Sequence, residues 1–172
     1  MAFSSVPPLM KDEELRNWAE LPSELMSPIM IRLGTIEILK NAQKVCTSWR
    51  RLSKDPSMWR KIVMQNPGDF GSMKYDLEIM CRHAVDRSQG GLVEINIWHF
   101  GTDNLLKYIA DSSSNMRSLR LAKCSRIIDE GIVKAVVKLS LLEELESSYS
   151  SAFLGESLVD IGPSCAFLEE SL

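Results

Sequence analysis

The chain has 172 residues, 45% hydrophobic and 25% charged, with a net charge of -3; these are the proportions of an ordinary folded protein. The length fits one domain or two small ones, and the acidic balance argues against a chain-wide nucleic-acid binder. The four cysteines, at 46, 81, 124 and 165, are far apart, and the only histidines are His83 and His99. No CxxC pair or zinc-ligand spacing results, which argues against a metalloenzyme, a disulfide scaffold and triad chemistry. No cofactor is expected. The opening MAFSSVPPLM lacks a basic region, and no stretch nears the ~18 to 20 apolar residues of a membrane span. The expected setting is intracellular, in cytoplasm or nucleus, with no membrane partner.

Residues 1 to 17 read as a polar, mobile tail. Leu21-Pro22-Ser23-Glu24 is a helix start, with Pro22 or Ser23 near the first turn. Leu25, Ile29 and Leu33 follow at i, i+4 and i+8 on one helix face, and Gly34 suits the C-terminal cap. Pro28 falls inside this helix, so the helix either starts late, near Pro28, or is kinked. A second helix is expected over Thr35 to Lys44, with Ile38, Leu39 and Ala42 inward. A third is expected over Val45 to Leu52, with Val45, Trp49 and Leu52 on one face. Asp55-Pro56 begins a last helical turn carrying Met58, Trp59 and Ile62.

Asn66-Pro67-Gly68 is a break. Asp76 to Ser88 is an amphipathic helix with Leu77, Met80, Cys81, Ala84 and Val85 apolar, ended by Gly90-Gly91. That glycine pair has no phosphate-loop context and reads as a turn. His83 is expected in solvent. From Leu92 the template L-x-x-L-x-L appears at Leu92, Ile95, Ile97, then at Met116, Leu119, Leu121, then at Leu142, Leu145, Ser147. A poor fourth copy begins at Leu168. Helix-like pieces lie between, at Asn104 to Ala110, Asp129 to Val137 and Glu156 to Ile161. A strand-then-helix unit this small cannot bury its own apolar face, whereas stacked units share a core. The strands should lie parallel.

The first part resembles an F-box. The resemblance rests on Leu21-Pro22-x-Glu24-Leu25, Ile29, Leu33, Val45-Cys46-x-x-Trp49-Arg50 and Asp55-Pro56-x-x-Trp59. The stretch Met116 to Ile132 resembles the cysteine-containing leucine-rich repeat of F-box proteins, with Cys124 at a turn position. Together they resemble a plant-type F-box/leucine-rich-repeat protein. The fold implied is a small helical F-box followed by a partial α/β leucine-rich-repeat solenoid with short parallel strands. The implied divisions are a tail at 1–17, an F-box at 18–62, a linker and bridging helix at 63–90, and partial repeats at 91–172.

The resemblance implies a non-catalytic subunit of a Skp–cullin–F-box ubiquitin ligase. The F-box would dock on a Skp-family adaptor, and through it on cullin, while the repeats recruit an unknown protein substrate. Carried over residue by residue, the adaptor contacts would be Trp18, Leu21, Pro22, Leu25, Ile29, Met30, Leu33, Val45, Cys46 and Trp49, with Glu37 and Lys40 as a polar rim. The outward strand residues Glu94, Asn96, Ser118 and Arg120 are the candidate substrate contacts, from strand alternation.

Charge divides the chain in the same way. Residues 40 to 61 hold seven basic groups against Asp55 alone, and residues 139 to 172 hold seven acidic groups and no Lys or Arg. A basic face speeds encounter with an acidic partner. Ser147 and Ser171 sit where the repeat calls for buried apolar residues, and the sequence closes at Leu172 without a polar capping repeat. The expectation is a short member with an incomplete substrate half. Two other readings stay open: a repeat scaffold with no ligase link, and a small helical nucleic-acid module using Arg50, Arg51 and Lys54.

Overall fold

A computed structural model of the chain describes residues 21–65 and 75–148. The expectations for the tail, Trp18, the break after Gln65, the helix at Glu156 to Ile161, Cys165, Ser171 and the fourth repeat copy lie outside these residues.

Helix α1, Ser23–Leu33, starts where expected, with Pro22 at the N-cap position. The carbonyl of Pro22 accepts the first helical N–H groups, from Leu25 at 3.1 Å and Met26 at 3.0 Å. The helix does not start late: it runs through Pro28, and the Ser27 hydroxyl donates to the Ser23 carbonyl at 2.8 Å. Gly34, at φ 83°, ends it in a backbone conformation that side chains disfavour.

Helix α2 is a composite. It opens as Thr35–Glu37, widens to a π-helical Ile38–Ala42 and closes as Gln43–Val45. Ile38, Leu39 and Ala42 are buried, as their spacing predicts. The chain then breaks at Cys46, which is extended, and its sulfur accepts the Trp49 N–H at 3.5 Å to cap α3, Thr47–Leu52. Val45 therefore ends α2 rather than sharing a face with Trp49, and it is 62% exposed. The Asp55 carboxylate caps a 3-10 turn, Pro56–Trp59, by accepting from Ser57 N–H at 2.9 Å.

Ile62 is not on a helical turn. It lies in strand β1, Lys61–Gln65. Helix α4, Leu77–Ser88, is capped by Asp76, which accepts from Glu78 and Ile79 N–H at 2.8 and 3.2 Å. Strands β2 (Glu94–Trp98), β3 (Ser118–Ala122) and β4 (Glu144–Ser148) alternate with helices α5 (Asp103–Ser112) and α6 (Asp129–Lys138). The four strands form one parallel sheet in order β1-β2-β3-β4.

The repeat geometry extends into the helical half. The Arg60 carbonyl accepts from both Val93 and Glu94, that of Val93 from both Arg117 and Ser118, and that of Arg117 from both Glu143 and Glu144. Arg60 thus stands where Val93 and Arg117 stand in the next turns. Trp59, Ile62 and Met64 occupy the L-x-x-L-x-L positions of a first copy, and all three are at most 1% exposed.

The inner sheet face stacks like with like. One row is Ile62, Ile95, Leu119 and Leu145; the next is Met64, Ile97, Leu121 and Ser147. The seven apolar members are at most 2% exposed, whereas Ser147 is half-buried. Burying such a side chain fully stabilises the fold by about 1.5–3 kcal/mol, so these rows join the repeats. A single apolar core runs from Met26 and Met30, past Trp59, to Leu145.

Candidate functional site

Two surfaces collect the residues singled out above. The first is a face of α1. Met26 and Met30, four residues apart, point into the core at 2% and 0% exposure. Leu25, Ile29 and Leu33 form the adjoining stripe, 59%, 38% and 41% exposed. An apolar stripe left in water on a well-filled domain marks an interaction surface. Met30, expected among the contacts, is a core residue and does not reach this surface.

The other expected contacts divide. Pro22, Glu37 and Val45 are exposed, and Leu21, Cys46 and Trp49 are half-buried. Leu21 and Trp49 pack against the core, so they support the face more than they extend it. The Trp49 indole nitrogen is buried with no hydrogen-bond partner among the described residues. Glu37 accepts from the Asn41 side chain at 2.7 Å. Lys40 turns toward the bridging segment, its ammonium 4.1 Å from the ring centre of Tyr75.

The second surface is the outward face of the sheet, where all four strand candidates lie together. Register places Lys61, Glu94, Ser118 and Glu144 in one row, and Val63, Asn96, Arg120 and Glu146 in the next. The rows form a charge ladder. Lys61 Nζ pairs with Glu94 Oε1 at 2.8 Å. Arg120 pairs with Glu144 at 2.7 Å and Glu146 at 3.4 Å, and its Nη1 lies 3.9 Å from Glu94. The Ser118 hydroxyl donates to Glu144 Oε2 at 2.7 Å.

The hydrogen bond from Arg120, and then that from Ser118, holds the Glu144 carboxyl below the usual glutamate range. The same bond to Glu144 holds Arg120 above its ordinary value. The Asn96 amide oxygen is buried at the centre of this face with no partner among the described residues.

Sequence reasoning missed Lys61, Glu144 and Glu146. The signal for Lys61 was the Trp59, Ile62, Met64 spacing, hidden by an indole in the leucine position. Glu144 and Glu146 followed from alternation around Leu145.

Among the described residues no group of three His, Cys, Asp or Glu could hold a metal ion, and no helix is long and apolar enough to cross a membrane. Cys124 is buried, its thiol 3.4 Å from the Ala122 carbonyl and 3.6 Å from that of Ile97. His83 is exposed on α4.

An F-box-like family profile matches residues 18–65. Putative F-box/LRR-repeat protein 9 of Arabidopsis thaliana is 50% identical over 94% of this chain and 67% of its own length. The chain belongs to the plant F-box/LRR-repeat proteins. Two further Arabidopsis relatives are F-box protein SKIP19, 66% identical over 96% of the chain, and putative F-box/LRR-repeat protein 23, 62% identical over 98%. The chain spans 54% and 37% of the lengths of these two. In this F-box/LRR-repeat chain the profile match ends at Gln65, the last residue of β1. The F-box-like segment of this chain therefore carries the first strand of the repeat sheet.

Proposed function

We propose that this chain is a substrate-receptor subunit of a Skp–cullin–F-box ubiquitin ligase, acting without covalent chemistry of its own. The α1 stripe of Leu25, Ile29 and Leu33 docks on a Skp-family adaptor, which carries the cullin. The observation that supports this reading is the exposure of that stripe, 38–59%, on a helix inside the F-box-like match. A few central apolar anchors dominate such interfaces. Pro22 and Val45 extend the contact. The exposed bases Lys44, Arg50, Arg51 and Lys54 steer an acidic adaptor toward the face. The protein acts in cytoplasm or nucleus and needs no nucleic acid.

The strand face recruits a protein substrate, with Glu94, Asn96, Ser118 and Arg120 at its centre. Because Glu94, Ser118 and Arg120 are already paired with neighbours, a substrate gains affinity there by replacing or extending those pairs in register.

The test is capture by a purified Skp-family adaptor, comparing wild type with Leu25→Ala/Ile29→Ala at low and moderate salt. The double variant should bind at least about tenfold more weakly at both salts, and the wild type should lose only part of its affinity at the higher salt, through slower association. A folded wild type that does not bind the adaptor would refute the proposal.

A further inference from the structure

We propose that Arg87 is the lock of the joint between the helical half and the repeats, setting the angle between the α1 face and the strand face. The functional meaning of that angle rests on the reading above, but the lock itself does not. Arg87 sits on α4, near its C-terminal end. Its Nη1 donates to the Ser53 carbonyl at 3.0 Å and its Nη2 to Gln43 Oε1 at 2.8 Å. Gln43 belongs to the last turn of α2, and Ser53 directly follows α3. One guanidinium thus grips two separate elements of the helical half.

A third point is fixed beside it. The Trp59 ring centre lies 5.4 Å from the guanidinium carbon, and the Trp59 indole N–H donates to the same Ser53 carbonyl at 3.0 Å. Ser53 is fully buried, and its hydroxyl donates to the Arg50 carbonyl at 2.9 Å. Arg50 Nε in turn donates to the Gln43 carbonyl at 3.2 Å. The acceptors are therefore held by their own neighbours.

No ion pair forms at Arg87 among the described residues, so neutral acceptors alone satisfy it. Burial draws its pKa below the ordinary arginine value, which marks a group held partly out of water. A half-buried cation without a carboxylate depends on the geometry of its acceptors, and a swing of the joint would strip them away. Among the described residues the other polar crossings of this joint are single contacts: Val63 N–H to Thr35 Oγ1 at 3.3 Å, and Lys40 over Tyr75. Lysine carries its donors on a single nitrogen, so it would not reproduce the two bonds that Arg87 makes through separate nitrogens of a planar fork.

The experiment measures the distance distribution between fluorophores at Thr47 and Ser140, both exposed, in the full chain bound to purified adaptor. Wild type is compared with Arg87→Met, Arg87→Lys and Gln43→Met. Wild type should give one narrow distribution, and all three variants broader or displaced ones, with adaptor affinity within about twofold. Gln43→Met leaves the charge in place and carries the test if Arg87→Met does not fold. Unchanged distributions in the folded variants would overturn the proposal. So would a tenfold or greater loss of adaptor affinity at unchanged distance (about 1.4 kcal/mol), since Arg87 would then serve the docking face itself. If wild-type chain fails to bind adaptor, the docking reading fails, and the distance comparison on the chain alone still decides the lock.

Discussion

The carboxylate of Asp103 lies directly over Gly131. Its Oδ1 accepts from the backbone N–H of Ile128, the residue just before α6, at 3.1 Å, tying the start of α6 to the first residue of α5. A Cβ on Gly131 would stand 2.1 Å from that oxygen. Two adjacent repeats are joined there through a space that only glycine leaves open.

The sign of one substitution should therefore depend on its partner. Alanine favours a helix interior over glycine by about 0.8–1 kcal/mol, but in the wild type Gly131→Ala must push the Asp103 carboxylate off the Ile128 N–H, a charged hydrogen bond worth about 1.5–3 kcal/mol. Gly131→Ala should lower the melting temperature of the wild type and raise that of Asp103→Ala. Thermal unfolding of the four-member cycle reads this directly, and a stabilising Gly131→Ala in both backgrounds would contradict it.

Met30 and Leu25 should separate stability from docking. Truncating a filled core position costs about 2–5 kcal/mol, and Met30 is 0% exposed whereas Leu25 is 59% exposed. Urea unfolding should show a large loss for Met30→Ala and a loss below about 1 kcal/mol for Leu25→Ala. Comparable losses would mean that Leu25 is covered in the folded chain.

The charge ladder predicts a pH dependence of known sign. Glu144 has its folded pKa lowered by the bond from Arg120. Its contribution is present above the unfolded glutamate value of about 4.3 and is lost as pH falls through the lower folded value. Because the side chain is 41% exposed, solvent screening keeps the contribution below about 1 kcal/mol. Glu144→Gln should flatten the acid limb of the stability profile, measured by urea unfolding across that range, and leave it unchanged near neutrality apart from a constant offset.

The thiols should react in a fixed order. Burial pushes Cys81 up to about 12 and also raises Cys124, whereas Cys46 is half-buried. Alkylation of the native protein near about pH 8, followed by mass spectrometry, should label Cys46 well before Cys81 or Cys124. Early labelling of Cys81 would show that α4 opens locally without global unfolding.

Where a repeating pattern carried the signal, the sequence was sufficient. The L-x-x-L-x-L spacing located β2, β3 and β4, because each copy turns its template residues inward, with Ser147 the polar exception in the third. Helix starts were legible at Pro22, Asp55 and Asp76, where the cap chemistry is local. The break between α2 and α3 was expected a residue or two early, between Lys44 and Val45, because no proline or glycine marks Cys46 and a sulfur supplies the cap. The first strand was missed because Trp59 stands in a leucine position and Ile62 also suits a helical turn. Helical periodicity on α1 showed an apolar surface but not which stripe is buried. Met26 and Met30 adjoin Leu25, Ile29 and Leu33, and both stripes satisfy the same spacing.

The sequence by itself determined the family, the alternation of strand and helix from Leu92 onward, and the residues that alternate outward on β2 and β3. These follow from interactions between residues close along the chain. Only the tertiary structure decided that Met30 is core while Leu25 is surface, that Lys40 meets Tyr75, that Arg120 is shared among three carboxylates, and that Arg87 spans Gln43 and Ser53. Each of those depends on how separately folded pieces stack, and packing between distant segments leaves no periodic trace in either one.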